Sequence, residues 1–323
     1  MNKPRPFLSV VTPVYMAEAC VEELSRRLVA ALDSISPDFE IIMVEDASPD
    51  RSWETMVRIL TAEPRCKGIR LARNFGQHYA ITAGLEHAAG EWIVVMDCDL
   101  QDQPEEIAKL FQTAKHGNFD VVFGRRFRRN DLWLKRMSSK CFYAAYNYFT
   151  DARFDNTVAN FSISRRPVIA EFLRMREHNR SFPLFIRWLG FSVGYVDVVH
   201  AERFAGKTSY DFRKLLRLSA ESIISQSNKP LHLSIAIGLL LALGSFLVAL
   251  YFIAKYFFLG IPVTGWTSMI VSLWFIGGVI LMNLGVLGLY LGRVFNEVKN
   301  RPLYVVRERI GFGCFPTQEE TEV

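Results

Sequence analysis

The chain has 323 residues, half of them hydrophobic, and a formal net charge of +5, which is enough for one large domain with appendages. Its five cysteines are scattered without a CxxC pair, which argues against a zinc site and a disulfide framework. The modest positive charge is concentrated near the apolar C-terminal segments, where it suits anionic lipid better than nucleic acid, for which no motif is visible.

The N-terminal part of the chain alternates between predicted strands and helices. Strands are predicted at 7–13, 39–44 and 68–71, and helices at 18–32, 52–62 and 79–89, the last ended by Gly90. This alternation is typical of a parallel, Rossmann-like sheet. Pro13 ends the first predicted strand, and no GxGxxG follows it, so a dinucleotide cofactor is not predicted.

A fourth predicted strand begins at Trp92 and runs into carboxylates. Asp97 and Asp99 are two residues apart, so along a strand both side chains would point the same way, and Cys98 would point into the protein. Two carboxylates in this arrangement can hold one hard divalent cation. The alternative is a polar strand end before an acidic helix start at 103–106.

A further carboxylate, Asp46, follows the second predicted strand. Ligands of open α/β sheets bind just beyond the carboxyl ends of the strands, so Asp46 should face the same side as Asp97 and Asp99. One carboxylate apart from a metal-binding pair suits a nucleotide diphosphate. The single acid can accept a hydrogen bond from the base or ribose, and the pair can hold the metal that neutralises the diphosphate.

Two long apolar segments follow in the C-terminal third. Residues 235–258 are almost wholly apolar and residues 266–291 carry no charge, so each is long enough to span a membrane. A buried hairpin of core helices is the alternative. Two earlier segments, 133–149 and 211–230, mix basic with apolar or aromatic residues at helical spacing, which predicts helices in the lipid headgroup layer or, alternatively, packed on the core.

The charges that flank the apolar segments predict their orientation. The link at 259–265 carries no basic residue, whereas the outer flanks do. They carry Arg213, Lys214, Arg217 and Lys229 on one side, and Arg293, Lys299, Arg301, Arg307 and Arg309 on the other. The positive-inside rule therefore puts both termini in the cytoplasm. No cleavable signal peptide is expected, because residues 2–6 lead directly into a short strand.

Six motifs occur across nearly the whole of the part before the apolar segments. They are Val11-Thr12-Pro13-Val14-Tyr15, Glu45-Asp46-Ala47-Ser48-Pro49-Asp50, Arg73-Asn74-Phe75-Gly76, Asp97-Cys98-Asp99-Leu100-Gln101-Asp102, Phe123-Gly124-Arg125-Arg126 and Arg203-Phe204-Ala205-Gly206-Lys207-Thr208-Ser209-Tyr210. In these motifs and their order the chain resembles family 2 glycosyltransferases with the GT-A fold. It is most similar to polyprenyl-phosphate sugar transferases, namely dolichol-phosphate mannose synthases and bacterial undecaprenyl-phosphate glucosyl- and aminoarabinosyltransferases.

The resemblance implies a role for each matching residue. Nucleotide-sugar binding falls to Pro13, Tyr15, Asp46, Arg73, Asn74, Asp97 and Gln101, with Asp46 recognising the nucleoside. Asp97, Asp99 and Gln101 would hold Mg²⁺ or Mn²⁺. Arg125, Ser209 and Tyr210 would bind the acceptor phosphate, and the catalytic set would be Asp97, Asp99, Arg125, Arg203 and Lys207. For Arg203 and Lys207, the alternative is a solvated surface or contact with lipid headgroups.

Two positions depart from the family pattern. Met16 stands where the family usually has Asn, and Asn160 replaces an acid that could act in catalysis or orient the donor sugar. An amide cannot take a proton as a carboxylate does. A phosphate monoester is already mostly ionised near neutral pH, with a second pKa of about 6, so its oxygen needs no base to attack. Asn160 therefore indicates either that the acid is dispensable or that the sugar preference is altered.

The resemblance implies a mixed, mainly parallel GT-A sheet with helices on both faces and four parts along the chain. These are a cytoplasmic catalytic domain at 1–210, an interfacial helix at 211–230, two transmembrane helices within 231–292, and a cytoplasmic tail at 293–323. The implied location is the bacterial inner membrane, as a multi-pass protein that forms a homo-oligomer, either a dimer or a tetramer.

The implied activity is inverting transfer of a single sugar from a nucleotide-diphosphate sugar, with UDP-hexose favoured, to undecaprenyl phosphate for cell-envelope glycan modification such as that of lipopolysaccharide. UDP-glucose, UDP-galactose, amino sugars and GDP-mannose all stay open. A processive polysaccharide synthase is the first alternative, but Leu184-Phe185-Ile186-Arg187-Trp188 lacks the Gln of a QxxRW motif. A non-enzymatic membrane scaffold is the second alternative.

Overall fold

A computed structural model describes residues 5–126, 158–199, 201, 227, 229–259 and 265–312. The chain forms two compact units. The first comprises Met1–Asn130, Asp155–Thr208 and Pro302–Val323, and the second comprises Asp131–Phe154 and Ser209–Arg301. The predicted interfacial helix at 133–149, and nearly all of that at 211–230, lie outside the described residues.

The first unit is built on one eight-stranded sheet in the order β7-β5-β6-β4-β1-β2-β3-β8. The strands are β1 (Leu8–Val14), β2 (Phe39–Glu45), β3 (Cys66–Leu71), β4 (Trp92–Val95), β5 (Val121–Arg126), β6 (Val158–Arg165), β7 (Val193–Val198) and β8 (Val306–Ile310). Four pairs are parallel: β1 with β2 and β4, β2 with β3, and β5 with β7. The pairs β3–β8, β4–β6 and β5–β6 are antiparallel, so the predicted mixed, mainly parallel sheet is confirmed.

Helices cover both faces of this sheet. They are α1 (Val21–Asp33), α2 (Ser52–Ala62), α3 (Gln77–His87), α4 (Ile107–His116), α5 (Arg166–Arg174) and α6 (Phe182–Trp188). Strand alternation places Val10 and Val94 in one apolar cluster with α1, α2 and α4. Their neighbours Val11 and Val95 lie in a second cluster with α3, α5 and α6. A strand that is apolar at every position is therefore buried on both sides, as its composition predicts.

The strand register brings the carboxyl ends of β1, β2 and β4 together. Val14 pairs with Glu45, and Val11 pairs with Val95. The N–H of Asp46 then donates to the carbonyl of Val14 at 3.0 Å. Because β6 runs antiparallel to β4, the start of β6 lies at this same edge.

Three details of the sequence prediction were wrong. Strand β4 ends at Val95 and a turn follows, so strand alternation does not set the directions of Asp97 and Asp99. Pro13 does not end β1, because it pairs with Val44 inside the ladder. Helix α3 ends at His87, and Gly90 serves packing instead of capping, since an added Cβ there would lie 2.6 Å from the backbone nitrogen of Ser9.

The second unit contains two long helices, α7 (Lys229–Leu259) and α8 (Trp266–Val298). Apolar windows in them, Lys229–Phe252 and Ser272–Val298, have mean hydropathies of 2.5 and 1.9, with only 6% and 0% of their residues buried. Such exposed apolar surface does not fit the alternative of a buried core hairpin. The two helices are candidate membrane spans, and the hydroxyl of Ser234 joins them by donating to the side-chain oxygen of Asn283.

Candidate active site

The carboxyl edge of the parallel strands gathers residues from four different loops. Tyr15 follows β1, Asp46 follows β2, Arg73 follows β3 and Asp97 follows β4. Tyr15, Arg73 and the neighbouring Asn74 are exposed, while Asp46 is buried and Asp97 half-buried. This edge is where open α/β sheets bind their ligands.

Asp46 fastens the loop between β3 and α3. Its two carboxylate oxygens accept the N–H groups of Phe75 and Gly76, each at 2.8 Å. Burial raises the pKa of Asp46, and these two N–H groups together with Arg73 partly offset that rise. Gly76 has a φ of +105°, a conformation that a side chain rarely adopts. The residue predicted to recognise the nucleoside therefore also holds the loop that carries Arg73 and Asn74.

Asp97 is held by two amides from different elements. The side-chain nitrogen of Gln77, at the start of α3, donates to Oδ1 of Asp97 at 2.7 Å. The side-chain nitrogen of Asn160, on β6, donates to the same oxygen at 3.2 Å. The amide at position 160 thus acts as a hydrogen-bond donor to an acid.

The turn after β4 orders the second acid of the predicted metal pair. The N–H of Gln101 donates to Oδ1 of Asp99 at 3.2 Å. Cys98, between the two acids, points inward: its sulfur accepts the N–H of Tyr15, and burial raises the pKa of its thiol to about 12. Cys98 therefore packs against the first apolar cluster. Its inward direction agrees with the prediction, although strand alternation is not the reason for it.

The donor set at this edge fits a magnesium or manganese ion. Asp97 and Asp99 are half-buried and supply hard oxygen atoms. No group of three His, Cys, Asp or Glu side chains with metal-binding geometry occurs among the described residues. Magnesium sites often use one or two carboxylates and leave the remaining positions to water and substrate phosphates, so a donor set of two acids is compatible with such an ion.

The loops after β1 and β2 are joined to each other. The N–H of Met16 donates to the hydroxyl of Ser48 at 2.7 Å, and that hydroxyl donates to Asp50 at 2.6 Å. Asp50 also accepts the hydroxyl of Ser52 at 2.6 Å. The Glu45–Asp50 motif is thus a scaffold that supports the loop carrying Tyr15.

The residues predicted to bind the acceptor phosphate and the predicted catalytic residues Arg203 and Lys207 are only partly placed. Arg125 lies on β5, with its Nε 3.4 Å from a carboxylate oxygen of Asp197 and its guanidinium over the ring of Tyr195. The other four lie outside the described residues: Arg203, Lys207, Ser209 and Tyr210. Among the predicted nucleotide-binding residues, Pro13 is buried within β1 and Arg73 covers the ring of Phe75 at 4.3 Å.

Gln77 was not predicted as a site residue, and Asn160 was predicted only as the replacement of an acid. The signal for Gln77 was its position, because it directly follows the motif Arg73-Asn74-Phe75-Gly76 and starts a helix at the carboxyl edge. The partnership of Asn160 with Asp97 depends on the antiparallel pairing of β6 with β4, which short-range patterns do not reveal.

Comparison with known proteins identifies the family. Residues 9–173 match the glycosyl transferase family 2 domain. The chain is 36% identical to an uncharacterized glycosyltransferase of Bacillus subtilis (strain 168), over 94% of both chains. It is 33% identical to the SfII prophage-derived bactoprenol glucosyl transferase of Shigella flexneri, over 93% of this chain and 97% of that one.

Solved structures show more distant likeness. The crystal structure of glucosyl-3-phosphoglycerate synthase from Mycobacterium tuberculosis with Mn²⁺, UDP and phosphoglyceric acid is 15% identical, with a TM-score of 0.48, covering 68% of this chain and 76% of that one. The full-length agreement with the relatives in sequence, together with the match to the domain, identifies the protein: it belongs to glycosyl transferase family 2 and is a glycosyltransferase.

Proposed function

We propose that this glycosyltransferase transfers one sugar, with inversion, from a nucleotide-diphosphate sugar to polyprenyl phosphate. The single observation that carries the donor side is the convergence of Asp46, Asp97 and Asp99 on one sheet edge. The acceptor side is supported by the relative named bactoprenol glucosyl transferase, which matches nearly end to end. UDP-glucose is therefore the first donor to test, and undecaprenyl phosphate is the first acceptor.

The donor would lie across the loops that follow the four parallel strands. Asp46, with the exposed Tyr15, Arg73 and Asn74, would contact the nucleoside and its ribose, and the buried Pro13 would shape the floor beneath them. Asp97, Asp99 and Gln101 would hold Mg²⁺ or Mn²⁺. When bound, that ion neutralises the charge of the leaving diphosphate.

The acceptor needs positioning more than activation. A phosphate monoester has a second pKa of about 6 and is mostly ionised near neutral pH, whereas a hydroxyl acceptor requires a base. Asn160 occupies the position of the family's acid and donates to Asp97, which suits a reaction without an essential base at that position. Arg125, Arg203, Lys207, Ser209 and Tyr210 would orient the acceptor phosphate and balance its charge.

The setting that we propose is the cytoplasmic face of the bacterial inner membrane. The exposed apolar surface of α7 and α8 supports a membrane location, and the basic outer flanks support cytoplasmic termini. The product would be a polyprenyl-phosphate sugar used in cell-envelope glycan modification. A homo-oligomer, either a dimer or a tetramer, is part of this proposal.

The test is Mn²⁺-dependent binding of UDP-glucose, followed by transfer to undecaprenyl phosphate in membranes. We expect Asp99→Ala to abolish the Mn²⁺-dependent part of binding, because it removes one of the two carboxylates proposed to hold the ion. Asp38→Ala is the matched control, since Asp38 is exposed and precedes β2 at the opposite edge of the sheet. Undiminished binding in Asp99→Ala, or equal transfer in excess EDTA, would contradict the proposal.

A further inference from the structure

Two side-chain amides converge on one oxygen of Asp97. Gln77 approaches from the first residue of α3 at 2.7 Å, and Asn160 approaches from β6 at 3.2 Å. Both side chains are donors, and the two residues are 83 positions apart in the chain. A carboxylate that accepts two N–H groups on one oxygen has its orientation restrained by the residues that donate them.

The residues that precede Gln77 hold a different carboxylate. The N–H groups of Phe75 and Gly76 donate to the two oxygens of Asp46, each at 2.8 Å. Three consecutive residues therefore bond the acid after β2 and the acid after β4. These strands are both neighbours of β1, so at about 4.8 Å between strands their ends are roughly 10 Å apart.

The geometry of this bridge depends on Gly76. Its φ of +105° turns the chain between Phe75 and Gln77, so that backbone donors meet Asp46 and the next side chain meets Asp97. The half-buried Asn160 completes the arrangement from β6. A carboxylate at position 160 would face Asp97 with like charge and without a donor, and an amide supplies the donor that the bridge uses.

We propose that Gln77 and Asn160 are positioning residues for Asp97, and that residues 75–77 couple Asp97 to Asp46. A change that disorders the residues around Asp97 should then also disorder those around Asp46, and a change at Asp46 should also disorder the residues around Asp97. This inference rests on the proposed function, because it takes Asp97 as a metal ligand. Neither Gln77 nor Asn160 needs to touch the metal, since outer residues that orient a ligand change metal affinity through it.

The first experiment measures Mn²⁺ affinity by titration calorimetry of the full-length protein in detergent, with UDP at saturation. We expect Gln77→Ala and Asn160→Ala each to weaken Mn²⁺ binding by about 10-fold, the low end of such effects. The matched control is Gln112→Ala, which removes an exposed glutamine on α4 and should leave the affinity unchanged. In all variants the thermal unfolding midpoint without metal should stay within about 2 °C of the wild type.

A double-mutant cycle tests the coupling to Asp46. Asp46→Asn replaces one acceptor oxygen with an NH₂ group and so breaks one of the two bonds to Phe75 and Gly76. We expect this change to weaken Mn²⁺ binding as Gln77→Ala does, although Asp46 lies two strands away from Asp97. Both changes act through residues 75–77. The Mn²⁺ affinity of the double variant should therefore be at most about twofold lower than that of the single variant with the lower affinity.

Each outcome separates this inference from the proposed function. If the wild type binds neither Mn²⁺ nor UDP, the proposed function fails and the inference fails with it. If the wild type binds both and the two amide variants stay within twofold of its Mn²⁺ affinity, the inference alone is overturned. The inference is also overturned if the fold-losses in Mn²⁺ affinity of Asp46→Asn and Gln77→Ala multiply in the double variant. It is likewise overturned if the Mn²⁺ affinity falls only in variants whose thermal unfolding midpoint also falls.

Discussion

Unusual backbone conformations cluster in the loops of the candidate site. Outside glycine and asparagine, the described residues with positive φ are Met16, Ala47 and Leu100, at 50°, 48° and 58°. Each lies within five residues after the end of a parallel strand, namely β1, β2 and β4. Left-handed conformations cost energy for residues with a side chain and are common at functional sites. The strain therefore marks this edge independently of the chemistry of its acids.

Met16 offers a direct test of that strain. Asparagine tolerates the left-handed region better than methionine does. It is also the residue usual at this position in the family that the sequence motifs resemble. We expect Met16→Asn to stabilise the protein by ~1 kcal/mol, measured as a rise in the thermal unfolding midpoint. Met16→Leu keeps both the size and the strain of the side chain and should give no gain. An equal rise in both variants would contradict a backbone cause.

His78 predicts a pH dependence of stability. Burial lowers its pKa to about 4, with a smaller effect of Arg180, and its Nδ1 accepts the N–H of Phe182 at 3.5 Å. The unfolded chain takes up this proton near pH 6.5 and the folded chain only near pH 4. Stability is therefore lost as the pH falls through that window, by about 1 kcal/mol between pH 7 and 5.5.

Urea unfolding at the two pH values would measure this loss. His78→Gln removes the titrating group, so its difference in unfolding free energy between pH 7 and 5.5 should be smaller than that of the wild type. His116→Gln, at an exposed position on α4, should keep the wild-type difference. A His78→Gln variant that loses as much stability as the wild type would assign the effect to other groups.

At the scale of elements, the parallel core was predictable and its edges were not. Continuous apolar runs such as that of β4, with helices between them, indicate a doubly covered parallel sheet. By contrast β8, at the sheet edge, lies in the segment predicted only as a tail. Its sequence Val306-Arg307-Glu308-Arg309-Ile310 is mostly charged, and its partner β3 lies over 230 positions earlier, so no local pattern announces the pairing.

The residues just before β8, which was not predicted, contact the elements next to the candidate site. The carbonyl of Val305, just before β8, accepts the N–H of Ala72 at 2.8 Å, next to Arg73. The hydroxyl of Tyr304 donates to Glu86 on α3. The chain that follows α8 therefore holds the start of the loop that carries Arg73, Asn74 and Gly76, and it also contacts the C-terminal end of α3, the helix after that loop. These contacts explain why a tail segment belongs to the first unit.

Tyr304→Phe tests this support, because it removes one hydroxyl and keeps the ring. We expect a loss of about 1 kcal/mol of stability, the usual contribution of one hydrogen bond, together with weaker UDP binding. Tyr251→Phe is the control, since Tyr251 is exposed on α7. The unfolding midpoint and the UDP affinity should change only in the first variant. Stability loss with unchanged UDP affinity would limit β8 to a purely structural role.

For the whole molecule, the positions of the acids could be predicted from the sequence, but the hydrogen bonds that link them through other residues could not. Asp46 and Asp97 follow apolar runs, and any parallel sheet brings such positions to one edge. Gly76 bonds Asp46 and Gln77 bonds Asp97. This link depends on the path of the loop between β3 and α3. Hydrogen bonds of this kind follow from the three-dimensional arrangement of the loops, and the sequence shows only that Gly76 and Gln77 are adjacent.

The proposed function depends on how the chain is oriented relative to the membrane. A site that uses a cytoplasmic nucleotide-sugar requires the first unit on the cytoplasmic side, and the basic residues outside α7 and α8 favour that arrangement. Alkaline phosphatase fused at Pro262, in the link, should therefore be active, and green fluorescent protein fused after Val323 should fluoresce. Exchanging the two reporters is the control, because both signals should then disappear. Phosphatase activity at Val323 would place the site on the wrong side for such a donor.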